Sequence, residues 1–562
     1  MKAINIIIFL LCAGGILAGE ESVAPEQRVE RYLTKATVRG YSGSVLLAMN
    51  GKILLKNGYG MADTEKAFPF KADTIFDIGS ITKQFTAACI LKLEMEEKLS
   101  VNDPLSKFFD AAPQDKKTLT LHQLLTHTAG MVDGLGSDEE MISLDDYLKK
   151  AFAADLIHEP GKYEYSNAGY SILAAVVEKT TGEDYEKYLR EKLLLPAGMK
   201  ETGYVLPQWD KARMATGYRN NRRWGTTFEQ SQYEKGVTWH LKGNGGIHST
   251  VSDLYLWYQA LRKNEILTEK AKQKYFTPYV QEGEGVDSSY GYGWSIRLDE
   301  QKHKTISHNG GNGYFMATMA MIPEIDFVVI ASTNRNPKNK DVIAERIAQL
   351  MLTDLKELDD SFVTQYAGTY RLPSGSRFSV DFNENDRAVF HLDQSEPWVM
   401  LGGDDSDNKK TAEQFDARTS ELLKAALSGN VERVSSLAGL PVAELSEMVG
   451  NFRKRLEEAN GKWKDLEVLG SVSRRKGTFY LTPVRLLFER GNEYRLAVWK
   501  GETLVDLRES PEGNTKEFEP QGENRFRAES NNRTVEFGMD GAVAVLRITA
   551  TGQTFIAQKI ND

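Results

Sequence analysis

Ser80-Ile81-Thr82-Lys83-Gln84-Phe85-Thr86-Ala87-Ala88-Cys89-Ile90-Leu91-Lys92-Leu93 combines a helical pattern with a candidate nucleophile. Ile81, Phe85, Ala88, Cys89 and Leu93 recur at helical spacing, which predicts a helix with one side buried. Ser80 stands at its start, where unpaired N–H groups create a partial positive field. Residues three apart share a helix face, so the Lys83 amine falls beside the Ser80 hydroxyl. Cleaving an amide or ester through a covalent intermediate needs a nucleophile, a group to take its proton, and donors for the oxyanion. Ser80 and Lys83 supply the first two, and a lysine buried at such a place titrates low. Alone, Ser-x-x-Lys is weak, because a serine cap on a surface helix looks the same and ordinary composition yields chance matches.

Outward from this helix, strands gather at both ends of one segment. Ser44–Met49 and Lys52–Lys56 are β-rich runs joined by Asn50-Gly51, a pair that tolerates the positive φ angles of a two-residue hairpin. Far downstream, Tyr314–Ile322 and Phe327–Ser332 flank the turn Pro323–Asp326, and a helix follows from Asp341 to about Leu355. Strands at both ends around a helical middle predict an α+β domain over residues 24–358, with an antiparallel sheet flanked by helices. Beyond it, Tyr366, Gly368 and Tyr370 open a stretch of short strands over 359–562. It resumes at Gly477–Glu489, Tyr494–Lys500, Asn524–Phe537 and Ala542–Thr549, with a hairpin turn at Asp540-Gly541. Between these strands Leu422, Leu423 and Ala426, then Leu445, Val449, Phe452 and Leu456, repeat at helical intervals. The expectation is a small β-barrel carrying a helical insertion at about 408–466.

What lifts Ser80 and Lys83 above chance is their ordered company. Leu124-Leu125-Thr126-His127-Thr128-Ala129-Gly130 follows, then Tyr165-Ser166-Asn167, then His308-Asn309-Gly310-Gly311. With these in place the chain resembles the serine β-lactamase and penicillin-binding-protein family, in the branch that holds class C β-lactamases, D-alanyl-D-alanine carboxypeptidases and related esterases and D-aminopeptidases. The resemblance spans roughly Val29 to Leu355. Ser80 to Lys83 matches the nucleophile motif, Tyr165 to Asn167 the Tyr-x-Asn motif, and His308 to Gly310 the strand motif that often reads Lys-Thr-Gly. It implies Ser80 as nucleophile, Lys83 as its base and Tyr165 as proton shuttle to the leaving group. It also implies substrate binding by Asn167, His308, Gly310 and Gly311, with the Ser80 and Gly311 N–H groups holding the oxyanion. The C-terminal barrel resembles the lipocalin-like β domain often appended to this family.

The chain departs from the β-lactamase pattern at His308, where a lysine is common. A lysine is a permanent cation for a substrate carboxylate, whereas a histidine is charged only partly at neutral pH. That shifts expectation toward a D-amino-acid peptidase, carboxypeptidase or esterase. The alternatives are a β-lactamase proper or a penicillin-recognising sensor that acylates without turnover. An α/β-hydrolase would need Gly-x-Ser-x-Gly, and none is present. His127 reads as a structural hydrogen-bonding residue rather than a catalyst. Gly243–Thr250 defaults to a structural turn, while Tyr290, Tyr292 and Trp294 divide evenly between groove lining and strand core. His122 and His127 are five apart and no His-Glu-x-x-His cluster occurs, so neither metal nor cofactor is expected.

Composition sets the surroundings. At 562 residues the chain exceeds a single core. The net charge of −9 is spread through the sequence, leaving no footprint for nucleic acid. Met1–Gly19 carries one lysine, then an apolar run from Ile4 to Leu17, then small residues. It reads as a signal peptide of a secreted or periplasmic protein, with a retained N-terminal anchor as the alternative, and no later run is long enough to span a membrane. Removing it leaves Cys89 as the only cysteine and no internal disulfide. The expected partner is a small-molecule, peptide or ester substrate, and oligomeric state is not readable.

Overall fold

The unbroken apolar run Val45–Ala48 lies in strand β1 (Gly43–Met49), which is buried on both faces, as such runs require. β1 belongs to an eight-stranded antiparallel sheet with β2 (Lys52–Tyr59), β3 (Val280–Gln281), β4 (Ser288–Tyr290), β5 (Ser295–Leu298), β6 (Lys304–Gly311), β7 (Met316–Ile322) and β8 (Phe327–Thr333). Their order across the sheet is β2-β1-β8-β7-β6-β5-β4-β3. The computed structural model describes residues 24–560 except 220–221, 231–235, 284–285, 299–303, 336–341, 353–357, 359, 384–385, 403–408, 475–477, 510–514, 522–523, 529–532 and 551–552. The expected signal peptide, residues 1–19, lies outside the described residues. Among those described, no helix is long and apolar enough to cross a membrane.

Two compact units divide the chain, Met1–Asp354 and Leu355–Asp562. In the first, alternate residues of β1 serve opposite faces of the sheet. Val45 and Leu47 pack with Val329 on helices α1 (Pro25–Val38) and α5 (Val342–Leu352), through Val29, Leu33, Ile347 and Leu350. Leu46, Ala48, Met319 and Ile330 face the helical region, which includes α2 (Thr82–Met95), α3 (Asn167–Thr181) and α4 (Val251–Arg262). The hairpin at Asn50-Gly51 forms as its sequence dictates, with φ of 52° and 73°. One expectation needs correction: α2 is buried all round rather than on one side, since every residue from Thr82 to Leu91 is buried. Its polar positions Thr82, Lys83, Gln84 and Thr86 concealed this, because a central helix usually reads as apolar throughout.

In the second unit a closed barrel takes β9 (Gly368–Arg371), β10 (Arg377–Phe382) and β11 (Ala388–His391). It then jumps to β17 (Thr515–Pro520), β18 (Arg525–Arg527), β19 (Thr534–Asp540), β20 (Val543–Ala550) and β21 (Gln553–Ile560). Phe382 lies 5.8 Å from Phe526 and 5.4 Å from Phe537. Those rings sit on strands that are not its neighbours, so they meet across the lumen and fill it. The insertion is larger than its helices. Besides α6 (Lys409–Ser428), α7 (Val431–Ala438) and α8 (Val442–Asn460), it holds β12 (Trp463–Val468), β13 (Val472–Arg474), β14 (Phe479–Phe488), β15 (Gly491–Lys500) and β16 (Thr503–Glu509), a sheet of its own. The runs around 477–489 and 494–500, expected in the barrel, pair here instead. Alternation marks a strand but not its partner. The turn after β19 is Gly541-Ala542, one residue later than expected, since Asp540 pairs with Val543 and only Gly541, at φ 61°, supplies a positive angle.

Candidate active site

Three local structures converge on Ser80. The first is the 3₁₀ turn Gly79–Ile81 that leads into α2 and leaves Ser80 half-buried, with Lys83 one turn on and fully buried. The Lys83 Nζ lies 3.0 Å from Ser80 Oγ, 2.6 Å from Asn167 Oδ1 and 2.8 Å from the Asn244 carbonyl. Burial pushes its amine down to about 7, although the carboxylates of Asp133 and Asp138 pull the other way. In the neutral amine two N–H bonds satisfy Asn167 and Asn244, which turns the lone pair toward the Ser80 hydroxyl.

The second structure is the entry to α3. Ser166 caps the helix by accepting from the Gly169 N–H, which sets Tyr165 just ahead of it and Asn167 on its first turn. His127 holds this entry from beneath: its Nδ1 accepts the Ser166 N–H at 3.0 Å, and its ring lies 4.3 Å from that of Tyr165. His127 sits at φ 58° and is buried, and burial keeps its ring neutral. The structural assignment for His127 therefore fits its place. The Tyr165 ring stands 4.8 Å from Lys83 Nζ. Burial raises the phenol well above its ordinary range, so it is protonated at neutral pH.

The end of β6 is the third. A Cβ on Gly310 would lie 2.0 Å from the Ile78 carbonyl and 2.5 Å from the Ser80 nitrogen, and one on Gly79, at φ 50°, would lie 2.3 Å from the Gly311 nitrogen. Only glycines permit this approach. The Asn312 N–H donates to Phe315 across the turn. By antiparallel alternation Gly310 faces β7 and Gly311 turns its N–H to the other edge. β5 ends opposite Ser307, so that edge has no strand partner from His308 onward among the described residues.

His308 is held at both ring nitrogens. Its Nδ1 faces the Asn309 carbonyl at 2.5 Å and its Nε2 faces the Tyr290 hydroxyl at 2.9 Å. Nδ1 therefore carries the proton and Nε2 accepts. Burial and nearby Lys83 push it down to about 4, so it is neutral at pH 7. Tyr292 and Trp294 pack into the core from the turn between β4 and β5, whereas Tyr290, equally buried, packs beside Tyr165 with its hydroxyl on His308. His122 bonds the Tyr292 hydroxyl at 2.7 Å, and no group of metal-binding residues occurs among the described residues.

All seven expected site residues, Ser80, Lys83, Tyr165, Asn167, His308, Gly310 and Gly311, thus fall in one place. Two contributors were not foreseen. The Gly243–Thr250 loop does more than turn: Asn244 anchors its side chain on Ser171 Oγ and the His240 carbonyl, aiming its own carbonyl at Lys83. Asp133 accepts from Asn167 Nδ2 at 2.8 Å and orients that amide. No motif flags either residue, because each acts through its backbone or through a neighbour.

A serine beside a buried amine, next to an open strand edge, is the architecture of serine hydrolases related to penicillin-binding proteins and class C β-lactamases. The chain matches the Beta-lactamase family over residues 20–352, more than half its length, and belongs to that family. It is similar to PbpX of Bacillus subtilis (strain 168), at 31% identity over 279 residues, 49% of this chain and 66% of PbpX. It spans just under two thirds of that relative. Penicillin-binding protein 4* of the same organism is 27% identical over 387 residues, 63% of this chain and 84% of that protein. The solved structure of an octameric penicillin-binding protein homologue from Pyrococcus abyssi covers 95% of this chain and 99% of its own, with a TM-score of 0.57 and 20% identity, a likeness of fold.

Proposed function

We propose that the chain is an exported serine hydrolase that cleaves an amide or ester through an acyl-enzyme on Ser80. The observation that carries this is the 3.0 Å contact between Ser80 Oγ and a buried Lys83 amine titrating near 7. Neutral Lys83 takes the Ser80 proton as Oγ attacks the acyl carbon. The Ser80 and Gly311 N–H groups hold the oxyanion. Tyr165, a protonated phenol, cannot serve as an anionic base and instead passes a proton to the leaving group. Asn167 orients the substrate amide, and water completes deacylation.

A neutral His308 offers no fixed cation to a substrate carboxylate. This supports a D-amino-acid peptidase or esterase over a β-lactamase proper. The test is intact-protein mass spectrometry over time with a penicillin, an ester and a D-amino-acid peptide, with Ser80→Ala as control. A Ser80-dependent adduct or turnover is expected with the ester or peptide. Fast penicillin hydrolysis would instead mark a β-lactamase, and a permanent penicilloyl adduct without any turnover a sensor. Silence toward all three would refute the enzyme assignment.

A further inference from the structure

Asp77, three residues before the nucleophile, is 4% exposed and backbone-paired with His248. Its Oδ1 accepts the Gly79 N–H at 2.7 Å and its Oδ2 accepts from Asn312 Nδ2 at 3.0 Å. Asn312 is itself fixed, because its Oδ1 accepts the N–H groups of Tyr314 at 3.1 Å and Phe315 at 2.9 Å. One carboxylate therefore ties the turn that carries Ser80 to the turn that follows Gly311. The same two backbone segments approach each other closely at Gly79 and Gly310.

We propose that Asp77 and Asn312 are positioning residues that set the separation between the Ser80 and Gly311 N–H groups, the two donors aimed at the oxyanion; this rests on the acyl-enzyme assignment above. Each donor lies one residue from a clamped position, Ser80 after Gly79 and Gly311 before Asn312. Preorganised donors stabilise a tetrahedral oxyanion only at hydrogen-bond distance from where it forms, so a small displacement of either segment weakens acylation selectively. Neither residue touches the reacting atoms.

The bonding pattern dictates the test. In Asp77→Asn, the new amide must offer Oδ1 to Gly79, which sets its NH₂ against the Asn312 NH₂. Asn312 cannot flip without abandoning the Tyr314 and Phe315 N–H groups. Adding Asn312→Asp restores the link, since the carboxylate introduced there accepts from the amide introduced by Asp77→Asn and from both loop N–H groups. The readouts are the second-order rate of Ser80 acylation by a p-nitrophenyl ester and the binding affinity of phenylboronic acid, whose tetrahedral adduct mimics the oxyanion. In Asp77→Asn both fall by about 10–100-fold, less than the loss of a whole donor. The double variant recovers to within a few-fold. Rates in Asp77→Asn equal to wild type would overturn the proposal. So would a double variant that regains the melting temperature but neither acylation nor boronate affinity, which also decides the matter if Asp77→Asn folds poorly. A wild-type chain that forms no Ser80 adduct overturns the acyl-enzyme assignment itself.

Discussion

On the proposed acyl-enzyme mechanism, replacing Asp133 by asparagine should make acylation of Ser80 faster in acid. Asp133 bonds Asn167 Nδ2 at 2.8 Å, and Asn167 Oδ1 bonds Lys83 at 2.6 Å. An asparagine at 133 still offers an oxygen to Asn167, so the geometry survives while the charge goes. The two bonds through one amide place the Asp133 and Lys83 charges roughly 7 Å apart, where an effective dielectric of about 20 gives roughly 2 kcal/mol of attraction. Asp133 is exposed, and solvent screening reduces this to about one pH unit in the Lys83 titration. The carboxylate favours the protonated amine, so its loss moves the titration below about 7. Only the neutral amine takes the Ser80 proton, and the acid limb of kcat/KM moves with it. At pH 6 the variant should acylate roughly fivefold faster than wild type, with the same plateau above pH 8. The assay is kcat/KM against pH with a neutral p-nitrophenyl ester. An acid limb that stays in place, or moves to higher pH, would refute the placement of Lys83 as base.

Three other outcomes follow from the same geometry. Lys83→Met should abolish acylation and change the pH dependence of stability. The folded amine titrates near 7 against 10.5 unfolded, so between those values the unfolded chain binds more protons and wild-type stability rises with pH, by up to about 1.4 kcal/mol per unit; urea melts across pH 7–10 should show that rise missing in the variant. Tyr165→Phe keeps the ring beside Lys83 but loses the hydroxyl, so kcat should fall by about 10²–10⁴ with little change in melting temperature. Gly310→Ala forces a methyl into the Ile78 carbonyl and the Ser80 nitrogen, and should lower kcat at least tenfold while costing about 1–3 kcal/mol by chemical denaturation.

The Ser80–Lys83 contact was legible from the sequence because an interval of three residues on a helix is itself a geometric statement. The hairpin at Asn50-Gly51 was legible for the same kind of reason, since the two residues carry their own backbone preference. Tyr165, Asn167, His308 and the glycines were found by their order along the chain and their likeness to a family, without any local rule that would bring them together. Sequence could also state that a histidine at 308 differs from a lysine. It could not state that this histidine is neutral, because that depends on burial, on Tyr290 and on Lys83, which arrive from other parts of the chain.

The tertiary structure alone decided what lies beyond the span of a local pattern. The depressed Lys83 amine depends on α2 being enclosed on all sides, and the aim of its lone pair depends on a carbonyl at Asn244 and an amide at Asn167. The strands at Phe479–Phe488 and Gly491–Lys500 alternate as barrel strands do, yet pair with each other in a separate sheet, while β11 skips more than a hundred residues to join β17. Periodicity reports which side of a strand is apolar, and proton affinity follows from what surrounds a group. Helical spacing therefore brought Ser80 and Lys83 together, and long-range packing determined the ionisation of the Lys83 amine and the company each strand keeps.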